Sequence, residues 1–284
     1  MIIGLVGAGA MGGALGAAWR SAGHEVRTDL SGRSARTVAL ARDHGITPAD
    51  GLHDVIGADL VVSIVPPAAA IPVARDIVRA ATEAGAAPLV ADLNAVSPRT
   101  VAAVAGLLRD GGLELVDGTV SGTPPRPGGR TTLYLSGERA GELRALSNTW
   151  HRTVILEGGV GAASALKMAT SSMYKGTNAL VLQAALTASH FGVLDAFLQD
   201  VSGTWPDNVP RWPWEVALAA SKSERFVDEM REIAVTQAQA GLVEDLFLGV
   251  AAVVERLSHT DLARATPEAV PREIDFTQIA DRFG

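Results

Sequence analysis

The feature that most constrains this fold is a glycine-rich turn near the start of the chain. Gly7-Ala8-Gly9-Ala10-Met11-Gly12 follows the apolar run Ile2–Val6 and precedes a helical stretch, Ala14–Ala22, which stops at Gly23. In this strand–turn–helix order, a GxGxxG motif holds the pyrophosphate of a dinucleotide at the helix N-terminus. The first glycine permits the turn, the second lets the backbone approach the phosphates, and the third allows close packing. We predict that Gly7, Gly9, Ala10, Met11 and Gly12 bind a dinucleotide cofactor.

The end of the next strand, predicted over His24–Leu30, bears on the choice of cofactor. Asp29 lies where a carboxylate binds the ribose 2′-hydroxyl of NAD. Arg33 and Ser34 follow in a loop with Arg36, and a guanidinium with a hydroxyl suits the 2′-phosphate of NADP. The two signals conflict because a carboxylate repels a phosphate. The clustered Arg33, Ser34 and Arg36 favour NADP, with NAD as the alternative.

Strands and helices then alternate. Apolar strands are predicted over Leu60–Val65, Pro88–Asp92 and Leu113–Gly118, with helices over Ala68–Ala84 and Arg99–Arg109. Such repeats predict a parallel sheet with right-handed crossovers, and ligands gather at the carboxyl ends of its strands. The residues expected there, beside the nicotinamide, are Val65, Pro66, Pro67 and Asn94.

A short polar loop follows the last of these strands. Ser121-Gly122-Thr123 offers two hydroxyls and closely spaced backbone N–H groups, which suit a carboxylate or another small anion. A purely structural turn is the alternative interpretation. Strands predicted over Thr131–Ser136 and Val154–Leu156 complete this half of the chain.

One long helix is predicted over residues 162–192, which contain no proline. At 100° per residue, five polar side chains share one narrow stripe of it: Lys167, Ser171, Tyr174, Lys175 and Asn178. The other faces are apolar, so we expect the helix to be buried. A buried polar stripe needs hydrogen-bonding partners or must face a cleft.

Beyond this helix the chain is predicted to be helical, over Ala196–Val201, Val216–Ala240 and Val243–Leu257. Clustered tryptophans in the gap between the first two are interpreted as packing anchors of the helical domain or as a dimer contact. The tail after His259 is expected either to wrap over a neighbouring subunit or to fray. The predicted fold is therefore an α/β Rossmann domain over residues 1–159 followed by an all-α domain over residues 160–284, joined by the long helix.

Composition excludes several classes of function. The net charge of −7 argues against binding nucleic acid or an anionic membrane, since both require a cationic surface. The absence of cysteine excludes disulfides and thiolate chemistry. His190 and His259 have no metal-ligand spacing, so no catalytic metal is expected. No secretion signal or membrane span is recognised, and a cytoplasmic location is the expectation.

Three motifs together resemble the β-hydroxyacid dehydrogenase superfamily, which includes 3-hydroxyisobutyrate and 6-phosphogluconate dehydrogenases and, more distantly, imine reductases. They are GLVGAGAMGGALGAAWRSAGHEV at the N-terminus, Asp117 to Thr123, and the glycine-rich Gly158–Lys167. In the second motif, Thr123 replaces the final glycine of the family pattern. The stretch KMATSSMYKGTNAL also resembles a sub-branch with an uncharacterised, phosphogluconate-dehydrogenase-like C-terminal domain.

The resemblance implies a Rossmann domain, a helical domain and a homodimer formed through the helical domain. It implies that Lys167 is the general acid/base, that Ser121, Gly122 and Thr123 bind the acidic group of the substrate, and that Asn94 and Pro66-Pro67 face the nicotinamide. Ser171 stands where family members usually carry an asparagine, and it retains the ability to hydrogen-bond. Lys175 is expected to support Lys167 or to bind the substrate anion.

The sequence therefore predicts an NAD(P)-dependent oxidoreductase, a dehydrogenase that moves a hydride between nicotinamide and a small hydroxy acid or its carbonyl form. One alternative is an imine reductase or reductive aminase, in which another residue usually occupies the lysine position. The other is a non-catalytic NADP(H)-binding sensor.

Overall fold

The structure is a computed structural model that describes residues 1–283, and it consists of two compact units. The N-terminal unit comprises Met1–Met168, and the helical unit begins at Ala169. The division lies inside the longest helix, later than the predicted domain boundary at residue 159. Each unit is described separately below.

The N-terminal unit is built on one eight-stranded sheet. Its strands are β1 Ile2–Val6, β2 Glu25–Asp29, β3 Thr47–Ala49, β4 Leu60–Ser63, β5 Leu89–Asp92, β6 Glu114–Ser121, β7 Thr131–Ser136 and β8 His151–Ile155. Their order is β3-β2-β1-β4-β5-β6-β7-β8. The first six are parallel, β7 is antiparallel to β6, and β8 is parallel to β7. The strand order reverses between β1 and β4, which is where ligands bind in folds of this kind.

Five helices cover this sheet: α1 Ala10–Ser21, α2 Ala35–Asp43, α3 Leu52–Ile56, α4 Ala70–Ala84 and α5 Pro98–Asp110. Alternate residues of the central strands enter two separate cores. On β4, Leu60 and Val62 join one core with Trp19, whereas Val61 joins the other with Ile77. Burial of both faces explains why these strands are apolar at nearly every position.

Two of the differences from the prediction concern segments that contain candidate site residues. The segment containing Arg36 is not wholly a loop, because α2 begins at Ala35 and Ser34 is its N-cap, accepting a 3.3 Å hydrogen bond from Thr37 N. Strand β6 continues to Ser121 instead of ending at Gly118, because its pairing with β7 extends that far, from Asp117↔Ser136 to Ser121↔Thr132. Asp117 therefore lies inside a strand.

The remaining helices are α6 Ala162–His190, which crosses the division between the units, and α7 Leu194–Thr204, α8 Trp212–Ala220, α9 Ser223–Gln239, α10 Asp245–Ser258 and α11 Phe276–Ala280. The prediction of a single helix over Val216–Ala240 is wrong, because the chain forms two helices there, α8 and α9. They are separated at Ser221-Lys222, where the Ser221 and Ser223 hydroxyls donate to the Leu218 and Ala220 carbonyls. Serine side chains that take up carbonyls in this way compete with helical hydrogen bonding.

The C-terminal tail packs onto its own unit, so the expectation that it frays is wrong, and wrapping over a neighbouring subunit stays a prediction. Asp275 and Gln278 form a capping box that begins α11, and Phe276 and Ile279 are buried in the core of the helical unit with Trp212. Burial of Trp212 also agrees with its interpretation as a packing anchor. Within residues 1–283, no helix combines the length and apolar character that crossing a membrane requires.

The expectation that α6 is buried on nearly every side is wrong. Met173, Tyr174 and Leu180 are 70%, 75% and 71% exposed. The apolar residues of this helix therefore exceed what a single chain can cover. Tyr174, a member of the predicted polar stripe, lies on this exposed side.

Candidate active site

The glycine turn between β1 and α1 has the geometry that its motif predicts. Gly7 has φ +104°, and a Cβ there would lie 2.0 Å from the Ile64 carbonyl oxygen. A Cβ on Gly12 would lie 2.0 Å from the Gly7 carbonyl oxygen. A Cβ on Gly9, by contrast, would meet nothing within 4 Å. Gly7 and Gly12 are thus required by packing, whereas Gly9 leaves open space over the turn.

This open space fits a dinucleotide pyrophosphate. Gly9 is the N-cap of α1, and no side chain caps that helix or places a carboxylate in its first turn. The N–H groups of the first turn, around Ala10 and Met11, are therefore directed at the space above Gly9 and suit an anion. Gly7, Gly9, Ala10, Met11 and Gly12 are the residues that would hold the phosphates.

The side chains predicted to distinguish NAD from NADP lie in one cleft beyond β1 and β2. Asp29, Arg33 and Asp76 line it together with apolar residues that include Val6. The Asp29 Oδ1 atom accepts a 2.8 Å hydrogen bond from Ser31 N, which leaves Oδ2 for another partner. Arg33 is exposed, and Ser34 lies next to it as the α2 cap. A carboxylate for a ribose hydroxyl and a guanidinium for a phosphate are thus both present.

Asn94 connects the carboxyl ends of β4 and β5. Its Oδ1 accepts a 2.6 Å hydrogen bond from Val65 N, and its Nδ2 donates to Asp92 Oδ2 at 2.8 Å and to Ser63 Oγ at 3.2 Å. Asn94 is 1% exposed, so its amide is committed to these partners. It acts on the predicted nicotinamide side by fixing the backbone at Val65, immediately before Pro66-Pro67.

Asp92 is a functional candidate that sequence reasoning missed. It is buried, and it is the register partner of Asp117 on the adjacent strand. Burial, together with the charge of Asp117, raises the pKa of Asp92 to about 7, although hydrogen bonds from Asn94 oppose this shift. No local sequence pattern distinguishes Asp92, because its raised pKa depends partly on Asp117, which lies on the neighbouring strand.

Lys167 lies against the end of β6, beside the predicted substrate loop. Its Nζ donates a 2.9 Å hydrogen bond to the carbonyl oxygen of Val120, the residue before Ser121. Gly122 follows with φ +106°, and the Thr123 carbonyl accepts a 2.7 Å hydrogen bond from Thr131 Oγ1. The structure thus brings Lys167, Ser121 and Gly122 together at one end of β6, within the N-terminal unit.

Asp117 begins the motif Asp117 to Thr123, but the sequence predicts no individual role for it. Its carboxylate is fully buried and accepts four hydrogen bonds. The donors are Ser136 Oγ at 3.0 Å, Gly161 N at 2.8 Å, Ser164 N at 3.1 Å and Ser164 Oγ at 2.7 Å. Three of these bonds come from the start of α6, the helix that carries Lys167.

The other two predicted substrate-binding side chains lie in the helical unit. Ser171 is buried, one helical turn after Lys167. Lys175 forms an ion pair with the buried Glu229, and its Nζ lies 4.1 Å from the centre of the Phe226 ring. Arg225 is also 3.7 Å from Glu229. Because Glu229 already balances its charge, Lys175 has less capacity to attract a substrate anion, and that role stays a prediction.

Two protein families match the chain. The NAD binding domain of 6-phosphogluconate dehydrogenase matches residues 2–144, and a domain of unknown function (DUF1932) matches residues 188–257. A curated relative, an uncharacterised 28.5 kDa protein from Methanothermus fervidus, is 27% identical over 181 residues, which is 63% of this chain and 68% of the relative.

Solved structures share the fold over nearly the whole chain. A conserved protein of unknown function, described as structurally similar to 3-hydroxyacid dehydrogenases, is 26% identical with a TM-score of 0.66 over 90% of this chain and 96% of its own. Mycobacterium tuberculosis 3-hydroxyisobutyrate dehydrogenase, studied with L-serine, is 19% identical with a TM-score of 0.69 over 99% and 98%. An imine reductase from Myxococcus stipitatus in complex with NADP⁺ is 20% identical with a TM-score of 0.58 over 100% of both chains.

A variant of that imine reductase is described in complex with NAD⁺. The glycine turn, the strand order and the family match over residues 2–144 agree with one another. The chain therefore belongs to the family of the NAD binding domain of 6-phosphogluconate dehydrogenase, and it has the architecture of an NAD(P)-dependent oxidoreductase of the hydroxyacid dehydrogenase fold.

Proposed function

We propose that this protein is a dehydrogenase that moves a hydride between the nicotinamide and the carbinol carbon of a small hydroxy acid, with Lys167 as general acid/base. The observation that carries this proposal is the position of the Lys167 amine. It lies on the Val120 carbonyl, one residue before Ser121, in the same unit as the dinucleotide turn. The proposed proton-transfer group is thus adjacent to the loop that we propose binds the substrate anion.

The bound cofactor would supply the hydride chemistry, and the chain must manage one proton. During oxidation, the neutral Lys167 amine takes the hydroxyl proton of the substrate as the carbonyl forms. During reduction, the ammonium form returns that proton to the developing alkoxide. The Val120 carbonyl accepts one N–H of Lys167 Nζ, which holds the amine beside the substrate loop, where we expect it to meet the substrate oxygen.

The Ser121-Gly122-Thr123 loop would bind the carboxylate of the substrate. Gly122 has φ +106°, a conformation in which glycine lets successive N–H groups converge on an anion. The Ser121 and Thr123 hydroxyls add two donors. An acid bound here would place its hydroxyl carbon near Lys167, because Lys167 contacts the preceding residue of the same strand.

We infer a preference for NADP. Arg33 is exposed at the cofactor cleft and Ser34 begins α2, so a guanidinium and a helix N-terminus are both available for a 2′-phosphate. Asp29 and Asp76 oppose this preference. Asp29, however, has one oxygen engaged by Ser31 N, and Asp76 forms a 2.8 Å ion pair with Arg79.

We also propose a homodimer formed through the helical unit. Large apolar side chains on α6 and around α10 are 63–75% exposed in the single chain, namely Met173, Tyr174, Leu180, Leu242, Val243 and Leu246. Apolar residues in this number and at this exposure mark an interface with a protein partner. A second copy of the chain offers the same surface and can cover them symmetrically.

An imine reductase is the second candidate function, and its support is the fold likeness to the Myxococcus stipitatus enzyme. The lysine against the substrate loop favours the hydroxy-acid reaction instead. A steady-state panel of hydroxy acids, aldehydes and cyclic imines with both cofactors separates the two. We expect turnover with hydroxy acids or their carbonyl forms. Turnover of cyclic imines alone would contradict the proposal, and tight cofactor binding without any turnover would favour a sensor.

A further inference from the structure

Strand β6 holds helix α6 at two points that share one sequence offset. The Asp117 carboxylate bonds Ser164, and the Val120 carbonyl bonds Lys167. Both pairs are 47 residues apart in the chain. From Asp117 to Val120 is three residues along the strand, and from Ser164 to Lys167 is three residues along the helix. The second contact involves Lys167, the proposed acid/base.

The Asp117 contact is a rigid one. Its carboxylate is 0% exposed, and the four donors from Ser136, Gly161 and Ser164 satisfy it inside the protein. A buried carboxylate is costly unless it is satisfied in this way, so any displacement of the start of α6 would carry a large penalty. Its negative charge also lies at the positive end of the helix dipole.

This contact differs from the other helix caps of the chain. Helices α2, α5 and α11 are capped by Ser34, Ser97 and Asp275, each of which directly precedes its own helix. Such caps satisfy N–H groups at the start of their own helix but do not connect that helix to another element. Asp117, by contrast, lies on strand β6 and bonds the start of α6, so it fixes the helix relative to β6.

We propose that Asp117 is a positioning residue for Lys167: it sets the register and rotation of α6 on β6, and thereby places the amine at the substrate loop. The inference rests on the proposed function. Over three residues a strand advances about 10 Å and a helix about 4.5 Å, and only a long side chain can bridge that difference. A one-residue shift turns a helical side chain by about 100° and would remove Lys167 from Val120.

The test compares Asp117→Asn with Asp275→Asn, which makes the same substitution at the cap of α11. Ser164→Ala is a milder variant that removes one donor and keeps the carboxylate. Three properties are measured: turnover, cofactor affinity, and the rate at which an amine-reactive reagent labels each lysine in the absence of substrate. The chain has only three lysines, Lys167, Lys175 and Lys222, so mass spectrometry resolves them all, with Lys222 as the internal reference.

Asp117→Asn is expected to release the Lys167 amine from Val120. Its labelling relative to Lys222 should rise roughly twofold to tenfold, the range for loss of one hydrogen bond. Turnover should fall about 10²-fold, as misplacement of a catalytic group by about 1 Å does, while cofactor affinity stays within about twofold. Ser164→Ala should show smaller changes in the same direction, and Asp275→Asn should show neither.

Unchanged relative labelling of Lys167 in folded Asp117→Asn would overturn the positioning role, whatever its turnover. Equal acceleration of all three lysines would also overturn it, because that result reports general loosening. If Asp117→Asn does not fold, the same criteria apply to Ser164→Ala. Absence of turnover in the wild type refutes the proposed function separately, since the labelling comparison does not depend on a substrate.

Discussion

At the scale of single residues, Asp92 links the pH of the solution to the stability of the cofactor-binding edge. Burial, with the charge of Asp117, raises its pKa from 3.8 to about 7. Between these values the native state keeps a proton that the unfolded chain releases. The contribution of Asp92 to the free energy of unfolding is therefore lost as the pH rises through this window.

Asp92→Asn removes this titration. We expect the free energy of unfolding of the variant, minus that of the wild type, to increase as the pH rises from about 4 to about 7 and then to level off. Urea titrations at a series of pH values measure it. Parallel pH profiles for the two proteins would show that Asp92 ionises in the native state as it does in the unfolded chain.

Arg33 determines the cofactor preference in our account. Arg33→Ala removes a charge-assisted contact to the 2′-phosphate, so the Kd for NADPH should rise by about tenfold or more while the Kd for NADH changes little. Asp29→Asn should have the opposite effect on the ratio of the two affinities. Arg42→Ala is the control, since Arg42 is exposed later on α2 and pairs with Asp43. If Arg33→Ala weakens both cofactors equally, the protein does not read the 2′-phosphate through this side chain.

At the scale of elements, the turn between β1 and α1 contains Gly12, which packing requires, and Gly9, which we predict to contact the cofactor. Gly12→Ala would drive a methyl group into the Gly7 carbonyl, at 2.0 Å, and should lower the free energy of unfolding by about 1–3 kcal/mol. Gly9→Ala meets nothing within 4 Å in the protein, so it should fold with unchanged stability. Its methyl group enters the space for the pyrophosphate and should weaken cofactor binding by about tenfold.

Thermal unfolding and cofactor titration of the two variants measure these effects. The prediction would be contradicted if Gly9→Ala lowered the free energy of unfolding while Gly12→Ala kept its stability and lost only cofactor affinity.

The elements that local periodicity specifies could be predicted from the sequence. The glycine turn and the apolar central strands depend on short-range patterns, and they lie where they were expected. The break between α8 and α9 could not be predicted in this way, because Ser221 and Ser223 were expected to be ordinary helical residues. The role of Asp117 could not be predicted either, because its partners Gly161 and Ser164 lie more than forty residues later.

The same reasoning explains which site residues could be inferred. Lys167 and Ser121 were identified through motifs, and the structure brings them together at the end of β6. The role of Asn94 is only partly predictable, since its amide bonds Ser63 on β4, Asp92 on β5 and the backbone of Val65 just after β4. Lys175 is predicted to lie near the substrate or Lys167, but in the structure it pairs with Glu229 on α9. The sequence predicts a helix there without specifying which of its residues face α6.

At the scale of the whole molecule, the exposed apolar residues of the helical unit predict a dimer. Leu180→Asp places a charge at a side chain that is 71% exposed in the single chain, so it should not disturb the fold. We expect it to weaken dimerisation by about tenfold or more, as substitution of an interface anchor does. Ala102→Asp adds the same charge on an exposed position of α5 and serves as the control. Sedimentation equilibrium should find a dimer for the wild type and the control. A monomeric wild type would refute the proposed interface.

Proton transfer through Lys167 of this NAD(P)-linked protein can be tested directly. The direct measurement is turnover of Lys167→Met against wild type with the best hydroxy-acid substrate, with Lys222→Met as the matched control and cofactor affinity determined in parallel. We predict that turnover falls roughly 10²- to 10⁴-fold in Lys167→Met, with cofactor affinity nearly intact and Lys222→Met unaffected. Unchanged turnover in Lys167→Met would contradict the account.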